Sequence, residues 1–112
     1  MLLLVMMKTR KKRSDRNHIV YVLTVKGDSY VGVTYVERSI GVDKSMRRRW
    51  QKHVRRALTE NKDWKLCKAI RKHGAEKFSI TVHDVVRGKS AAHELERSLI
   101  RKIKPKLNTD VR

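Results

Sequence analysis

Two short runs of β-branched and aromatic residues, joined by a turn, constrain the fold of this chain most strongly. Residues 19–25 have the sequence IVYVLTV and residues 30–36 the sequence YVGVTYV. The segment between them, residues 26–29 (KGDS), contains the glycine that a tight turn favours. Residues of these types prefer strands, and a tight turn between two such runs is typical of a β-hairpin. The sequence therefore predicts a hairpin near its amino-terminal end.

Two helices are predicted after the hairpin. The first begins at Asp43, a residue type that caps helices, and continues to about Thr59. Its apolar residues recur at helical spacing and form the stripe Met46, Trp50, Val54, Ala57 and Leu58. A second, shorter helix is expected between Asp63 and Gly74, because aspartate favours helix starts and glycine favours helix ends. Its inward-facing residues would be Leu66, Cys67 and Ile70.

A third strand and a third helix complete the predicted order β-β-α-α-β-α. The strand is indicated by alternating apolar residues, which are Phe78, Ile80 and Val82. The third helix is expected from a cap at Ser90 to about Lys102, ahead of Pro105. A chain of 112 residues is long enough for one core and too short for two. We therefore expect an α+β domain, in which a small three-stranded antiparallel sheet is flanked by three helices.

The net charge of the chain is extreme for its size. Lysine and arginine number 29 against 11 acidic residues, which gives a formal charge of +18. The positive charges of so small a protein repel one another unless a polyanion lies near them, and we therefore predict a nucleic acid partner. The predicted contacts come from the first helix and from the amino-terminal segment, and they are Arg47, Arg48, Lys52, Arg55, Arg56, Lys11, Lys12 and Arg13.

Residues 1–17 are predicted to form a disordered basic arm ahead of a folded domain over residues 18–112. The second half of this arm contains six basic side chains and one aspartate, with no periodic apolar residue. Residues 1–7 are apolar, but the basic residues follow them, and this order is the opposite of a secretory signal. We expect neither export nor membrane insertion. The single cysteine, Cys67, cannot form an internal disulfide, which fits a reducing cytoplasm.

Glu96 breaks the apolar pattern of the third helix. The predicted stripe consists of Ala92, Leu95, Leu99, Ile100 and Ile103, and Glu96 lies within it. Glu94, by contrast, points to the opposite side of the helix. A carboxylate on a core-facing stripe is costly unless a cation or a hydrogen-bond donor meets it. Either an arginine partner or a bound divalent metal would serve.

Residues of the hairpin and the first helix are further candidates for a site. Tyr21 and Tyr30 lie in the two predicted strands, and Gly32 interrupts the second strand. A glycine in mid-strand often marks a bulge or a close backbone approach. Arg49 and His53 are four residues apart, so they are neighbours on one side of the first helix. Each of these residues alone also has an ordinary structural explanation, as part of a half-buried sheet or of a solvated helix face.

Together these residues resemble the motifs of the GIY-YIG nuclease family. Residues 19–21 (IVY) stand at the family's first motif and residues 30–32 (YVG) at its second. The helix that follows carries the family's arginine and histidine as Arg49 and His53. The one departure is Ile19, which stands where the family has the first glycine.

The resemblance continues through the second half of the chain. Residues 66–78 (LCKAIRKHGAEKF) resemble the middle segment of the family, and the glutamate of the family follows as Glu96. Asn108 stands at the position of the closing asparagine. The resemblance covers about residues 18–108, and six weak motifs in the family's order together make a specific signal.

The resemblance implies a DNA endonuclease that hydrolyses phosphodiester bonds with one divalent cation, Mg²⁺ or, in its place, Mn²⁺. Glu96 would be the metal ligand, and Arg49 would hold the scissile phosphate. Tyr21 would be the base or would orient the attacking water, and Tyr30 would hydrogen-bond in the same cluster. The two remaining family residues are His53, which would assist proton transfer or bind phosphate, and Asn108, which would brace the site.

Two other functions stay open at this stage. One is a non-catalytic basic protein that binds nucleic acid at the ribosome or the nucleoid, and the other is a degenerate family member that only binds DNA or a partner. Ile19 favours the degenerate member. For a nuclease, the expected substrate is double-stranded or branched DNA, and a dimer or a partner protein would supply specificity. The expected location is the cytoplasm, at the nucleoid of a prokaryotic or phage-infected cell.

Overall fold

A computed structural model of the chain describes residues 16–108. It contains three strands, three helices and a three-residue 3₁₀ turn, Ala75–Lys77, which lies between the second helix and the third strand. The helices and strands are β1 (Asn17–Val25), β2 (Asp28–Tyr35), α1 (Gly41–Leu58), α2 (Lys65–His73), β3 (Ser79–Arg87) and α3 (Lys89–Ile103). The strands form one antiparallel sheet in the order β2-β1-β3. The predicted α+β fold, with three strands and three helices, is confirmed.

The hairpin closes through a two-residue turn. Val25 pairs with Asp28, and the two residues between them, Lys26 and Gly27, have φ angles of 50° and 83°. Positive φ at both turn residues gives the backbone twist that matches two antiparallel strands, and glycine adopts it without strain. The turn is therefore shorter than the predicted four-residue segment, and β2 begins at Asp28.

Helices cover the sheet on both faces. On one face, alternate residues of β1 from Ile19 to Val25 are at most 3% exposed. They share a core with α1 and α2 through Met46, Ala57, Leu66, Cys67, Ala69 and Ile70. On the other face, Val20 and Val31 pack against α3 through Ala92, Leu99 and Ile100. The central strand is therefore buried on both sides, which explains its nearly continuous apolar sequence.

The last strand, β3, is more exposed than its alternating pattern suggests. Ile80, Val82 and Val85 are 41%, 39% and 37% exposed. Because β3 lies at the edge of the sheet, the helices that cover the centre leave these side chains accessible. Leu58, which was assigned to the apolar stripe of α1, is 63% exposed at the end of that helix.

The helix starts differ from the predicted ones. Asp43 lies in the first turn of α1, which begins at Gly41, so its charge favours the helix dipole without capping the helix. Trp64 occupies the cap position of α2 in place of Asp63. Ser90 is the second residue of α3, after a cap position held by Gly88. None of these three helices has a side-chain cap in the described part of the chain, because the path of each loop places the preferred residues elsewhere.

The ends of the described segment bear on the predicted domain boundary. β1 begins at Asn17, one residue before the predicted start of the folded domain, and the carbonyl of Arg16 accepts a hydrogen bond from the N–H of Gly88 at 3.0 Å. The rest of the predicted arm, with Lys11, Lys12 and Arg13, lies outside the described residues.

Over residues 16–108, no helix is both long and apolar enough to cross a membrane.

Candidate active site

A cleft of about 420 Å³ lies at the β2 side of the sheet and collects side chains from both layers of helices. Tyr30 enters it from the face covered by α1, and Val33 enters it from the face covered by α3. Its lining residues are Tyr30, Val33, Arg49, His53, Arg56, Trp64, Leu66, His93, Glu96, Arg97, Ile100 and Asn108. Five of the six predicted catalytic residues therefore line one cleft, and the sixth, Tyr21, lies behind it.

Tyr21 connects α1 to the centre of the sheet. Its side chain is 0% exposed, and its hydroxyl oxygen lies 2.8 Å from Nε2 of His53. The same oxygen accepts a hydrogen bond from Nε of Arg49 at 3.3 Å. Because Arg49 donates to this oxygen, we assign the hydroxyl proton to the bond with His53, whose own ring proton is then on Nδ1.

Gly32 allows the two tyrosines to pack at this point. It pairs with Tyr21 across the hairpin, and a Cβ atom here would lie 2.6 Å from the Tyr21 hydroxyl and 2.8 Å from the Tyr30 ring. The ring centroids of Tyr30 and His53 are 5.4 Å apart in an edge-to-face arrangement. The glycine in mid-strand therefore marks a close approach of aromatic side chains.

Burial controls the protonation of this cluster. Desolvation, followed by the positive charges of Arg49 and Arg56, lowers the pKa of His53 to about 3. Burial also raises the pKa values of Tyr21 and Tyr30, and Arg49 only partly opposes this. At neutral pH the imidazole and both phenols are therefore uncharged, and Arg49 is the cation among them.

Asn108 joins the carboxyl-terminal segment to the edge of β2. Its side-chain oxygen accepts a hydrogen bond from the N–H of Val31, and its Nδ2 donates to the Val31 carbonyl, both at 2.9 Å. One residue earlier, the N–H of Leu107 donates to the Ser29 carbonyl at 3.0 Å. The asparagine therefore satisfies the edge of β2 beside Tyr30 and holds one wall of the cleft in place.

Glu96 projects from α3 into the cleft, and its side chain is 20% exposed. Arg49, Arg56 and Arg97 line the same cleft, yet none of these three arginines forms an ion pair with Glu96. The polar partner of its carboxylate is His93, whose Nδ1 lies 3.0 Å from Oε1. The arginines of the cleft therefore do not supply the partner that the sequence analysis required for Glu96, and the imidazole of His93 lies at hydrogen-bond distance instead.

Positive charge accumulates along the exposed side of α1. The nearby guanidinium groups of Arg56 and Arg49 lower the pKa of Lys52, because their positive charges repel the charged form of the lysine. Lys52 lies with Arg48 and Arg49 in a smaller depression of about 150 Å³, which shares Arg49 with the cleft. Arg48 is partly neutralised there by Glu37, whose Oε2 lies 2.7 Å from Nη1 of the arginine.

The remaining predicted nucleic-acid contacts differ in their positions relative to the cleft. Arg47 and Arg55 are exposed, and Arg56, which is half-buried, lines the cleft. The guanidinium carbon of Arg56 also lies 5.4 Å from the ring centroid of Trp64. These positions leave Arg49 and Arg56 as the basic residues of α1 that face the interior of the cleft.

The donor set at Glu96 suits one kind of metal. Within residues 16–108, no group of three histidine, cysteine or acidic side chains is arranged to enclose a metal ion. A single carboxylate in an open cleft fits a hard divalent cation that keeps several water molecules and also binds substrate phosphate. The same set does not fit a closed structural zinc site, which needs four protein ligands.

Several lining residues were not predicted as site residues from the sequence, and two of them, His93 and Trp64, differ in whether a sequence signal could have indicated them. His93 precedes Glu96 by three residues, so helical spacing placed it beside the glutamate and could have indicated it. Trp64 is 41% exposed at the start of α2, and no local pattern indicates that it faces the cleft. The chain matches no protein-family model, no curated protein and no solved structure.

Proposed function

We propose that this chain is a metal-dependent DNA endonuclease that hydrolyses phosphodiester bonds with one divalent cation, as its resemblance to the GIY-YIG family implies. The observation that carries the proposal is the carboxylate of Glu96, which faces the cleft and has the imidazole of His93 as its polar partner. Three arginines line this cleft in a protein of charge +18, and none of these three arginines forms an ion pair with Glu96. A carboxylate that these arginines leave without an ion pair is available for an added cation.

Arg49 and Arg56 are the proposed phosphate ligands. Both line the cleft from α1, and a guanidinium group binds two phosphate oxygens at once with good geometry. The repulsion that lowers the pKa of Lys52 is relieved when a phosphate anion lies among these side chains. The DNA backbone would therefore run along α1, with the scissile phosphate at Arg49 and neighbouring phosphates at Arg48 and Lys52.

Tyr21 and His53 are the proposed route for the proton. The buried hydroxyl of Tyr21 donates a hydrogen bond to Nε2 of His53. Burial raises the pKa of Tyr21, so its hydroxyl stays protonated at neutral pH. Because Nδ1 of His53 already carries a proton, Nε2 would take the proton of the Tyr21 hydroxyl while that hydroxyl takes one from the attacking water. A bound phosphate would offset the charges of Arg49 and Arg56, which contribute to the low pKa of His53. The imidazole would then become more basic when substrate binds, and Tyr30 would hydrogen-bond at the cleft wall.

Glu96 is the residue that would hold the cation. A divalent cation bound there would stabilise the negative charge that develops on the leaving oxygen. Asn108 keeps the cleft wall in place from the opposite side, through its two hydrogen bonds to Val31.

The proposed substrate is double-stranded or branched DNA, and the proposed location is the cytoplasm at the nucleoid. Selectivity beyond the backbone contacts would come from a partner protein, a second copy of the chain or the shape of a branched substrate. The basic amino-terminal segment, with Lys11, Lys12 and Arg13, would add affinity that is sensitive to salt.

The test is cleavage of supercoiled plasmid and of a four-way junction by the wild type and by Glu96→Ala, with Mg²⁺, with Mn²⁺ or with chelator. We expect cutting that needs the metal and that Glu96→Ala abolishes, while DNA binding persists. Glu94→Ala is the matched control, because Glu94 lies on the same helix but is exposed and outside the cleft. A well-folded wild type that binds DNA but cuts neither substrate would refute the proposal and leave a binding protein.

A further inference from the structure

We propose that His93 and Glu96 together chelate the divalent cation, and that the imidazole ligand makes this site favour Mn²⁺ over Mg²⁺. The inference rests on the proposed function, which supplies the reason for a cation in the cleft. It adds a second protein ligand and a metal preference, and both can be measured without DNA.

The spacing of the two side chains matches neighbouring positions around an octahedral ion. His93 and Glu96 are three residues apart on α3, so they lie on one side of the helix. The distance from Nδ1 of His93 to Oε1 of Glu96 is 3.0 Å. With metal–ligand bonds of about 2.1 Å, adjacent ligands at right angles lie about 3.0 Å apart. Without a metal, the contact between His93 and Glu96 is a hydrogen bond donated by Nδ1. When the ring proton lies on Nε2 instead, Nδ1 has a free lone pair and an ion could bind both atoms with little movement of either side chain.

Both side chains are accessible from the cleft. The side chain of His93 is 36% exposed and that of Glu96 is 20% exposed, and both line the cleft wall. Arg97 is the next residue along the helix and also lines the cleft, but it forms no ion pair with Glu96. Arg97 therefore does not have to leave the carboxylate before a metal binds.

The chemistry of the two ligands sets the expected metal preference. Mg²⁺ binds oxygen donors almost exclusively and releases its water reluctantly. First-row transition ions accept imidazole nitrogen more readily, and Mn²⁺ shares the octahedral geometry of Mg²⁺. Loss of the imidazole should therefore weaken Mn²⁺ binding more than Mg²⁺ binding.

The experiment uses Mn²⁺ alone as the probe on the full chain. Free Mn²⁺ is counted by its electron paramagnetic resonance signal, and pulsed measurements on the bound ion detect any directly coordinated nitrogen. Mg²⁺ affinity is obtained from displacement of Mn²⁺. The variants are His93→Gln and His93→Ala, with His83→Gln as the matched control, because His83 is exposed on β3 and does not line the cleft.

We expect the bound ion in the wild type and in the control to show imidazole nitrogen coupling that both His93 variants lose. Mn²⁺ affinity in those variants should fall by about 10-fold to 100-fold, and Mg²⁺ affinity should fall by less. Bound Mn²⁺ without nitrogen coupling, or coupling that persists in both variants, would overturn the inference. Metal-dependent cleavage lost in Glu96→Ala would in that case still support the proposed function, so the two failures are distinguishable.

Discussion

Acidification from pH 7 to pH 5 should destabilise this fold through His53. The side chain is 3% exposed, and its pKa in the folded protein is lowered to about 3, from 6.5 for an unperturbed histidine. Between these two values the unfolded chain binds a proton at His53 that the folded chain does not bind. The free energy of unfolding therefore falls as the pH falls below about 6.5.

The size of the effect follows from the two pKa values. At pH 7 His53 is mostly unprotonated in both the folded and the unfolded chain, and its low pKa reduces the free energy of unfolding by about 0.2 kcal/mol. At pH 5 His53 is almost fully protonated in the unfolded chain, and the reduction in the free energy of unfolding rises to about 2 kcal/mol. The groups that act on the imidazole are Tyr21 and Tyr30 from the sheet and the cations Arg49 and Arg56 from α1.

Urea denaturation at pH 7, 6 and 5 measures the effect, in wild type and in His53→Gln. Glutamine can still accept the Tyr21 hydroxyl proton but does not titrate, so the variant should lose about 2 kcal/mol less than the wild type between pH 7 and pH 5. His18, whose pKa is also lowered by burial, is present in both proteins and cancels in the comparison. Equal losses in the two proteins, or an imidazole resonance of His53 that titrates near pH 6.5, would refute the reasoning.

Three further changes have expected outcomes. Gly32→Ala places a methyl group 2.6 Å from the Tyr21 hydroxyl, so the free energy of unfolding should fall by about 1–3 kcal/mol in urea denaturation, and an unchanged value would contradict the close approach. Asn108→Ala leaves both backbone groups of Val31 without their partner and should cost about 2–4 kcal/mol, with faster hydrogen exchange at the Val31 amide as the local readout. Removal of residues 1–14, which carry five basic side chains, should reduce the slope of log affinity for DNA against log salt by up to about 4, and an equal slope would exclude a role for that segment.

Local patterns in the sequence were sufficient for the element order. The β-branched runs around residues 26–29 predicted the hairpin, and the apolar spacing from Met46 to Ala57 predicted α1. Such patterns work because side-chain direction repeats with the period of the element itself. Local patterns were less reliable at the helix starts. Asp43 and Ser90 are good capping residues, but each lies inside its helix, which begins before it in the sequence. A cap depends on the path of the incoming chain, which a local pattern does not contain.

The candidate site shows the same division between sequence and tertiary structure. The sequence by itself determined the charge of +18, the identities of the candidate residues and the anomaly of Glu96 within an apolar stripe. Only the tertiary structure decided that Arg49 and Glu96, from helices on opposite faces of the sheet, line one cleft, and that Tyr21 lies buried behind it. The physical reason is that burial, ion pairing and pKa shifts depend on distances through space, which packing of the two helix layers on one sheet sets.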